Sequence, residues 1–323
     1  MSRQYASRFA RLPLLGLVLL ALGCTAAARA QTVLTLGTAT AGGGFMVYGE
    51  ALAAAVAETD PGLVIELRRT AGSMENIPLL ESKELDVALV QGEAAHEALN
   101  GIGRPRAQLP IIAAMYPTPG LFIVRADSPY RTITELRGQP VAFGARGSGF
   151  VILARYLLDG LGLDMENDFQ AVYLERAGDG PVLLREGRVA ALWGGGSGWP
   201  GFLEVLRSPA GGRFITPTAD EIQRVRSRHR FLKPLAVPAG SYPGQDAALE
   251  SVGSWSFILA RPALPDDIAY RFTRALHLGE AALASRLPQG RDTTAGNTVS
   301  AAPDLKLLHP GTRRYLQEIG AIP

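Results

Sequence analysis

Cysteine is nearly absent. The chain of 323 residues has one, Cys24, inside a stretch that reads as a leader. A disulfide framework is therefore excluded, and a mature chain of about 290 residues must hold itself together by its core. No Lys/Arg-rich run occurs, which argues against nucleic acid as a partner. Beyond residue 30 no apolar run reaches the ~20 residues of a membrane-spanning helix. There is no long repeat and no low-complexity segment. Signatures of chemistry are missing too. The four histidines, His96, His229, His277 and His309, show no metal-ligand spacing such as His-x-x-x-His. No Walker A sequence is present. The nearest approach to a nucleophile elbow, Gly195-Gly196-Ser197-Gly198-Trp199, fails at its last position. No acid pair stands out as a general acid and base. The expectation is binding without chemistry: no catalytic residues, no metal and no cofactor.

Residues 1–30 read as an export signal. Arg3, Arg8 and Arg11 supply a positive start, and Leu12–Leu22 an apolar core too short to span a bilayer comfortably. Ala28-Arg29-Ala30 then offers small residues at a cleavage site before Gln31. A retained anchor is the alternative. Ala21-Leu22-Gly23-Cys24 also approaches a lipoprotein box, so lipidation at Cys24 stays open. The expected location is periplasmic. Loss of residues 1–30 removes four arginines and no acid, taking the formal net charge from +2 to −2.

The chain is rich in glycine, and its glycines cluster. Gly37–Glu50 (GTATAGGGFMVYGE) lies between an apolar strand-like run, residues 33–36, and an Ala-rich helical run, residues 51–57. Strand, glycine-rich turn and helix together point bare amides and a helix N-terminus at an anion. The device recurs at Thr70–Asn76 (TAGSMEN), Gly144–Gly149 (GARGSG) and Gly194–Trp199 (GGGSGW). Four such turns suggest one cleft gripping a small polar ligand. The first is no dinucleotide fingerprint, because Val47 stands where a third glycine belongs.

Short apolar runs alternate with helical patterns, so the fold class is α/β. Strands are expected at 33–36, 64–67, 87–90 and 111–115, with helices at 45–58 and about 74–83. A second series runs from 134 to 228 and includes a clear helix at 149–161. Leu121–Ala126 and Ser256–Arg261 are similar apolar strands. The length suggests two lobes. Lobe 1 is read as 31–125 plus 236–323 and lobe 2 as 126–235. The chain would cross at 121–126 and return through the Pro/Gly-rich 234–244, a hinge for closure around ligand. One long helix is expected over 266–285 and a short one over 309–319.

The chain resembles the TAXI-type solute-binding proteins of tripartite ATP-independent periplasmic (TRAP) transporters. The matching blocks are GTATAGGGFMVYGEALA (37–53), TAGSMENIPLLESKELDVALVQGEAA (70–95) and LRGQPVAFGARGSGFVILARYLLDGLGL (136–163). VPAGSYPGQDAALESVG (237–253), ARPALPDDIAYRFTRAL (260–276) and LHPGTRRYLQEIG (308–320) follow in the family's order. The resemblance implies a type II periplasmic-binding-protein fold, two Rossmann-like lobes joined by a hinge. It also implies a small organic-acid ligand, such as glutamate, 2-oxoglutarate or a related carboxylate, delivered to TRAP membrane permease subunits. Three departures stand out. Phe150 replaces the usual threonine of GSGT. Gln91-Gly92-Glu93 replaces Gln-Ser-Asp. Pro78 sits where an ordinary helix former is usual, so that helix is expected to begin later or bend. Two lost hydroxyls imply a less polar or differently shaped ligand.

Candidate ligand-binding residues follow from the turns and strand ends. Gly44, Phe45 and Tyr48 belong to the first turn, where glycines also simply permit the bend and Phe45 also suits a core. Ser73 either caps the next helix or donates to a carboxylate, and Asn76 follows it. Gln91, Tyr116 and Trp199 come after strands, and ligands in open α/β sheets lie beyond the strands' carboxyl ends; Trp193 qualifies on the same ground. Arg146, Gly147 and Ser148 form the second-lobe turn. Arg146 could pair a carboxylate bidentately or sit solvated at the surface. The oligomeric state is open, with a monomer expected. Two other functions stay in view: a binding protein for an ABC importer or sensor kinase, and an exported α/β enzyme without a recognisable motif.

Overall fold

The β-branched runs become strands and the Ala- and Leu-rich runs become helices in the computed structural model, which describes residues 31–323. The export signal and Cys24 lie outside the described residues. The chain begins β1 (Thr32–Gly37), α1 (Gly44–Thr59), β2 (Leu63–Arg68), α2 (Ser73–Glu81), β3 (Val87–Val90), α3 (Gly92–Asn100) and β4 (Ile111–Arg125). It continues with β5 (Pro140–Ala145), α4 (Gly149–Gly160), β6 (Gln170–Leu174), α5 (Gly180–Arg185), β7 (Ala191–Gly195), α6 (Pro200–Arg207), β8 (Gly212–Ile215) and α7 (Ala219–Arg228). It ends with β9 (Lys233–Val237), β10 (Leu249–Ala260), α8 (Asp266–Leu278), α9 (Glu280–Arg286), α10 (Ala295–Ala301) and α11 (Pro310–Glu318). None of these helices is long and apolar enough to cross a membrane.

The strands run in the order β2-β1-β3-β10-β4-β7-β5-β6, with β8 also on β4 and β9 on β10. Within each half the βαβ pairs are parallel: β1 with β2 and β3, and β5 with β6 and β7. The long β4 and β10 run antiparallel to these and to each other. This is a two-lobed α/β fold, with β4 shared by both halves of the sheet. Ile111 to Pro119 pairs with β10, and Gly120 to Ile123 pairs with β7. Helices cover both faces of each half. α1 and α8 pack on one face of the first half, and α2, α3 and α11 on the other. On β4, Phe122 and Val124 enter one core of the second half while Leu121 and Ile123 enter the opposite one, the alternation a strand buried on both faces requires.

Four local expectations change. Residues 111–115 and 121–126 are not separate strands. Pro117, Pro119 and Gly120 look like breakers, yet they lie inside β4 where its partner changes. The helix over 266–285 is broken at Gly279. A Cβ there would stand 3.0 Å from Ala275 O and 3.2 Å from Ala55 O, so the chain turns against α1. α3 forms directly after β3 and gives bounds to the helical pattern around His96, which had none in the sequence reading. Finally, α2 begins on time at Ser73 and runs through Pro78.

Candidate functional site

Because every helix leaves its first amides unpaired, the strand-to-helix turns decide where free donors gather. All four glycine-rich turns line one cavity of about 60 Å³. Ala39, Thr40 and Gly43 to Phe45 come from the turn into α1 and Ala71 to Ser73 from the turn into α2. Ser148 to Phe150 come from the start of α4, and Gly194, Gly195 and Trp199 from the turn between β7 and α6. Gln91, Tyr116, Gly144, Ala145, Ala177, Trp193 and Gln289 complete the wall.

The donors can be counted by name. Among the described residues, the amides of Gly44, Phe45, Ser73 and Gly149 find no acceptor. Ser148 caps α4, its Oγ accepting the Phe150 N–H at 3.2 Å. Ser73 does not cap α2: Gly72 holds that position, and Ser73 Oγ accepts the Gln91 N–H at 3.0 Å. Each hydroxyl oxygen is thus occupied as acceptor, and its hydrogen remains free to donate. Gln91 is 2% exposed; its Nε2 makes no full hydrogen bond, but its side chain lies close enough to Glu93 to stabilise that carboxylate.

A bulge places Tyr116. β10 slips register between the Trp255–Pro117 and Phe257–Ala114 pairs, so Met115 and Tyr116 face the single Ser256. Such bulges re-aim side chains beside functional sites. Burial pushes the Tyr116 hydroxyl well above its ordinary value, so it stays protonated. The far wall is locked by hydrogen bonds. Trp193 Nε1–H donates to Phe150 O at 2.8 Å, the Trp199 N–H donates to Tyr242 Oη at 2.9 Å, and that hydroxyl donates to Gly196 O at 2.7 Å.

The two sides of the cleft touch at its rim. Gly178 N–H donates to Ala41 O at 3.2 Å, Ala177 N–H to Thr40 Oγ1 at 3.1 Å, and Met74 N–H to Gly147 O at 3.1 Å. Glu97 on α3 receives both Arg155 and the Tyr156 hydroxyl from α4. Two glycines permit the approach. Gly42 (φ +79°) would bring a Cβ to 2.5 Å from Gly178 Cα, and Gly72 (φ +120°) to 2.9 Å from Gly147 O. The cleft is closed.

Of the expected site residues, the structure brings Gly44, Phe45, Ser73, Gln91, Tyr116, Ser148 and Trp199 to the cavity. Four others do not line it. Tyr48 is fully buried behind Tyr116, their rings 5.3 Å apart, and its hydroxyl pairs with Thr293 Oγ1 at 2.9 Å. Asn76 Nδ2 donates to Thr38 O and Leu89 O, each at 2.8 Å, and so ties β1 to β3. The Arg146 guanidinium lies over the Tyr173 ring, 4.6 Å from its centre. Gly147 meets Ala71 and Met74 across the rim instead.

Three wall residues carried no site signal in the sequence. Phe150 read only as a missing hydroxyl. Ala177 precedes a helix with no glycine run at it. Gln289 lies in a short turn far along the chain, and it also borders a larger groove of about 1060 Å³ with Arg185, Arg207 and Arg291. Next to the cavity, Glu93 is completely buried. Its Oε1 accepts from Ser254 Oγ at 2.7 Å, and its Oε2 has no partner. Burial pushes this carboxyl up to about 7, with hydrogen bonding from Ser254, from its own backbone and from the Gln91 side chain offsetting part of the effect.

Two α/β lobes closed over a cavity at helix N-termini define a fold of the periplasmic binding protein type. Residues 36–320 match the NMT1-like family, and the chain belongs to it. Solved structures share the fold at low identity. The periplasmic aliphatic sulphonate binding protein SsuA from Escherichia coli is 19% identical, with a TM-score of 0.50 over 90% of this chain and 84% of that one. A protein from Bordetella bronchiseptica RB50 is 14% identical, with a TM-score of 0.57 over 90% and 98%. A periplasmic binding protein of an arginine transport system from Legionella pneumophila is 13% identical, with a TM-score of 0.50 over 81% and 99%.

Proposed function

We propose that this protein is an extracytoplasmic solute receptor that closes its two lobes over a small organic anion. It then presents the anion to the membrane permease of a TRAP transporter. One observation carries the reading: three of the four strand-to-helix turns deliver unpaired amides, two of these turns add a free hydroxyl hydrogen, and the Gln91 carboxamide lies beside them at the same cavity. Donors without acceptors make an anion site, and shielding from water strengthens each bond. The TRAP partner rests on the resemblance of the blocks quoted above. The periplasmic location rests on the leader and the fold. Nothing in the reading requires a reaction.

The lobes are proposed to divide close to the expected boundaries, with the crossings moved. β4 changes partner between Pro119 and Gly120, and β10 meets the same place at Gly253 to Trp255. Bending there opens the rim contacts without breaking either core. The expected hinge at 121–126 and 234–244 shifts to these strands.

Native mass spectrometry of the purified protein, followed by thermal unfolding with added organic anions, tests the receptor reading. Anion at a hundred times its Kd should stabilise the protein by about 2.7 kcal/mol. Gly44→Val supplies the control. A Cβ at Gly44 stands 3.5 Å from Trp199 Cδ1 and 3.8 Å from Tyr116 Oη, so the two methyl groups of valine occupy the cavity. The variant should fold normally and bind roughly tenfold to a hundredfold more weakly, matching about 1–3 kcal/mol of overpacking. Unchanged affinity in Gly44→Val would place the ligand elsewhere.

A further inference from the structure

From the lining of the cavity we infer that the ligand is a short organic anion with one charge and an apolar body, and that Phe150 sets the length it admits. This deepens the receptor reading and rests on it.

Size comes first. A cavity of about 60 Å³, at 10–15 Å³ per water, has room for about four to six water-sized groups. Butyrate and lactate, with six heavy atoms each, come close to that size. Glutamate and 2-oxoglutarate, the larger carboxylates that the resemblance implies, have ten heavy atoms each and exceed that size.

Charge comes second. None of the residues lining the cavity is Asp, Glu, Lys, Arg or His. The amides and hydroxyls can satisfy one anionic headgroup. A second carboxylate or an ammonium group would be stripped of water with no opposite charge to meet it, which disfavours its burial strongly. Two charged residues adjacent in sequence to the lining turns are otherwise engaged. Arg146 stacks on Tyr173, and Glu93 is held behind the wall by Ser254.

The rest of the wall is apolar. Phe45, Tyr116, Phe150, Trp193 and Trp199 surround the space. Phe150 is fixed at one end of it. Its carbonyl receives Trp193 Nε1–H at 2.8 Å, and its Cε1 lies 2.8 Å from where a Cβ on Gly195 would stand. The ring is wedged between the start of α4 and the end of β7, so it acts as a stop. Removing it lengthens the cavity from that end and leaves Gln91, Ser73 and Ser148 in place.

The test is calorimetric titration of the wild-type protein and Phe150→Ala with butyrate, lactate, hexanoate, ethanesulfonate, succinate, 2-oxoglutarate and glutamate. In the wild type, the best short monoanion should bind roughly a hundredfold tighter than any dicarboxylate or amino acid. In Phe150→Ala the preference should move from butyrate towards hexanoate. Carboxylate against sulfonate distinguishes the two headgroup chemistries the donors accept. Tightest binding of 2-oxoglutarate or glutamate by the wild type would overturn the inference while leaving the receptor reading intact. An unchanged chain-length preference in a folded Phe150→Ala would overturn the role of Phe150, and the wild-type series stands even if that variant misfolds. If no anion of either kind binds and none co-purifies, the receptor reading fails and the inference falls with it.

Discussion

Gln91→Met should weaken anion binding by roughly tenfold to a hundredfold, because a hydrogen bond to a charged partner contributes about 1.5–3 kcal/mol. The same change should leave the unliganded protein at least as stable. Gln91 Nε2 is buried at the cavity wall with no full hydrogen bond, beside the buried Glu93 carboxyl. An unpaired buried donor costs the fold about 1–3 kcal/mol, and methionine removes it with little change of shape. A structural glutamine would behave in the opposite way, its loss lowering stability with or without ligand. Thermal unfolding with and without the best anion separates the two. A Gln91→Met protein that binds normally but melts early would show that Gln91 supports the fold and not the ligand.

Glu93→Gln should raise the melting temperature above neutral pH, and the sign follows from titration. Burial lifts the folded-state carboxyl from its ordinary 4.5 to about 7. Between those values the folded protein holds a proton that the unfolded chain has released. The contribution of this group to stability is therefore greatest below about pH 4.5. It falls as the pH rises towards 7 and settles at a cost of about 3 kcal/mol above it. Glutamine keeps an oxygen for Ser254 and never ionises. The variant should gain roughly 5–10 °C at about pH 8, at ~2–4 °C per kcal/mol for a chain of this size, and almost nothing at about pH 4.5. An identical offset at both pH values would mean that ionisation of Glu93 plays no part.

Much of the fold was legible in the sequence because its signals are local. Alternating short apolar runs and 3.6-residue patterns gave most of the strands and helices in order. The exceptions have non-local causes. β4 absorbs two prolines and a glycine because its partner changes there. The break at Gly279 follows from packing against Ala55 on α1. The short α10 is anchored from a distance, Thr298 Oγ1 accepting the Ala114 N–H at 3.1 Å.

The site shows the same division more sharply. Ser73 and Ser148 are equivalent on paper, each a serine after a glycine-rich turn. Only Ser148 caps its helix, because a residue 18 positions on, Gln91, brings its amide to Ser73. Arg146 sits beside Ser148 in sequence and yet turns to an aromatic face.

By itself, the sequence determined the α/β alternation, the four glycine-rich turns and the kinds of donor they offer, because helix starts and turn chemistry are written in a few adjacent residues. Only the tertiary structure decided that the turns converge, that Phe150 lines the cavity, and that no charged side chain does. It also decided that Asn76, Tyr48 and Arg146 are engaged elsewhere. A polar group goes to whichever partner reaches it first in space, and those partners lie tens to hundreds of residues away along the chain.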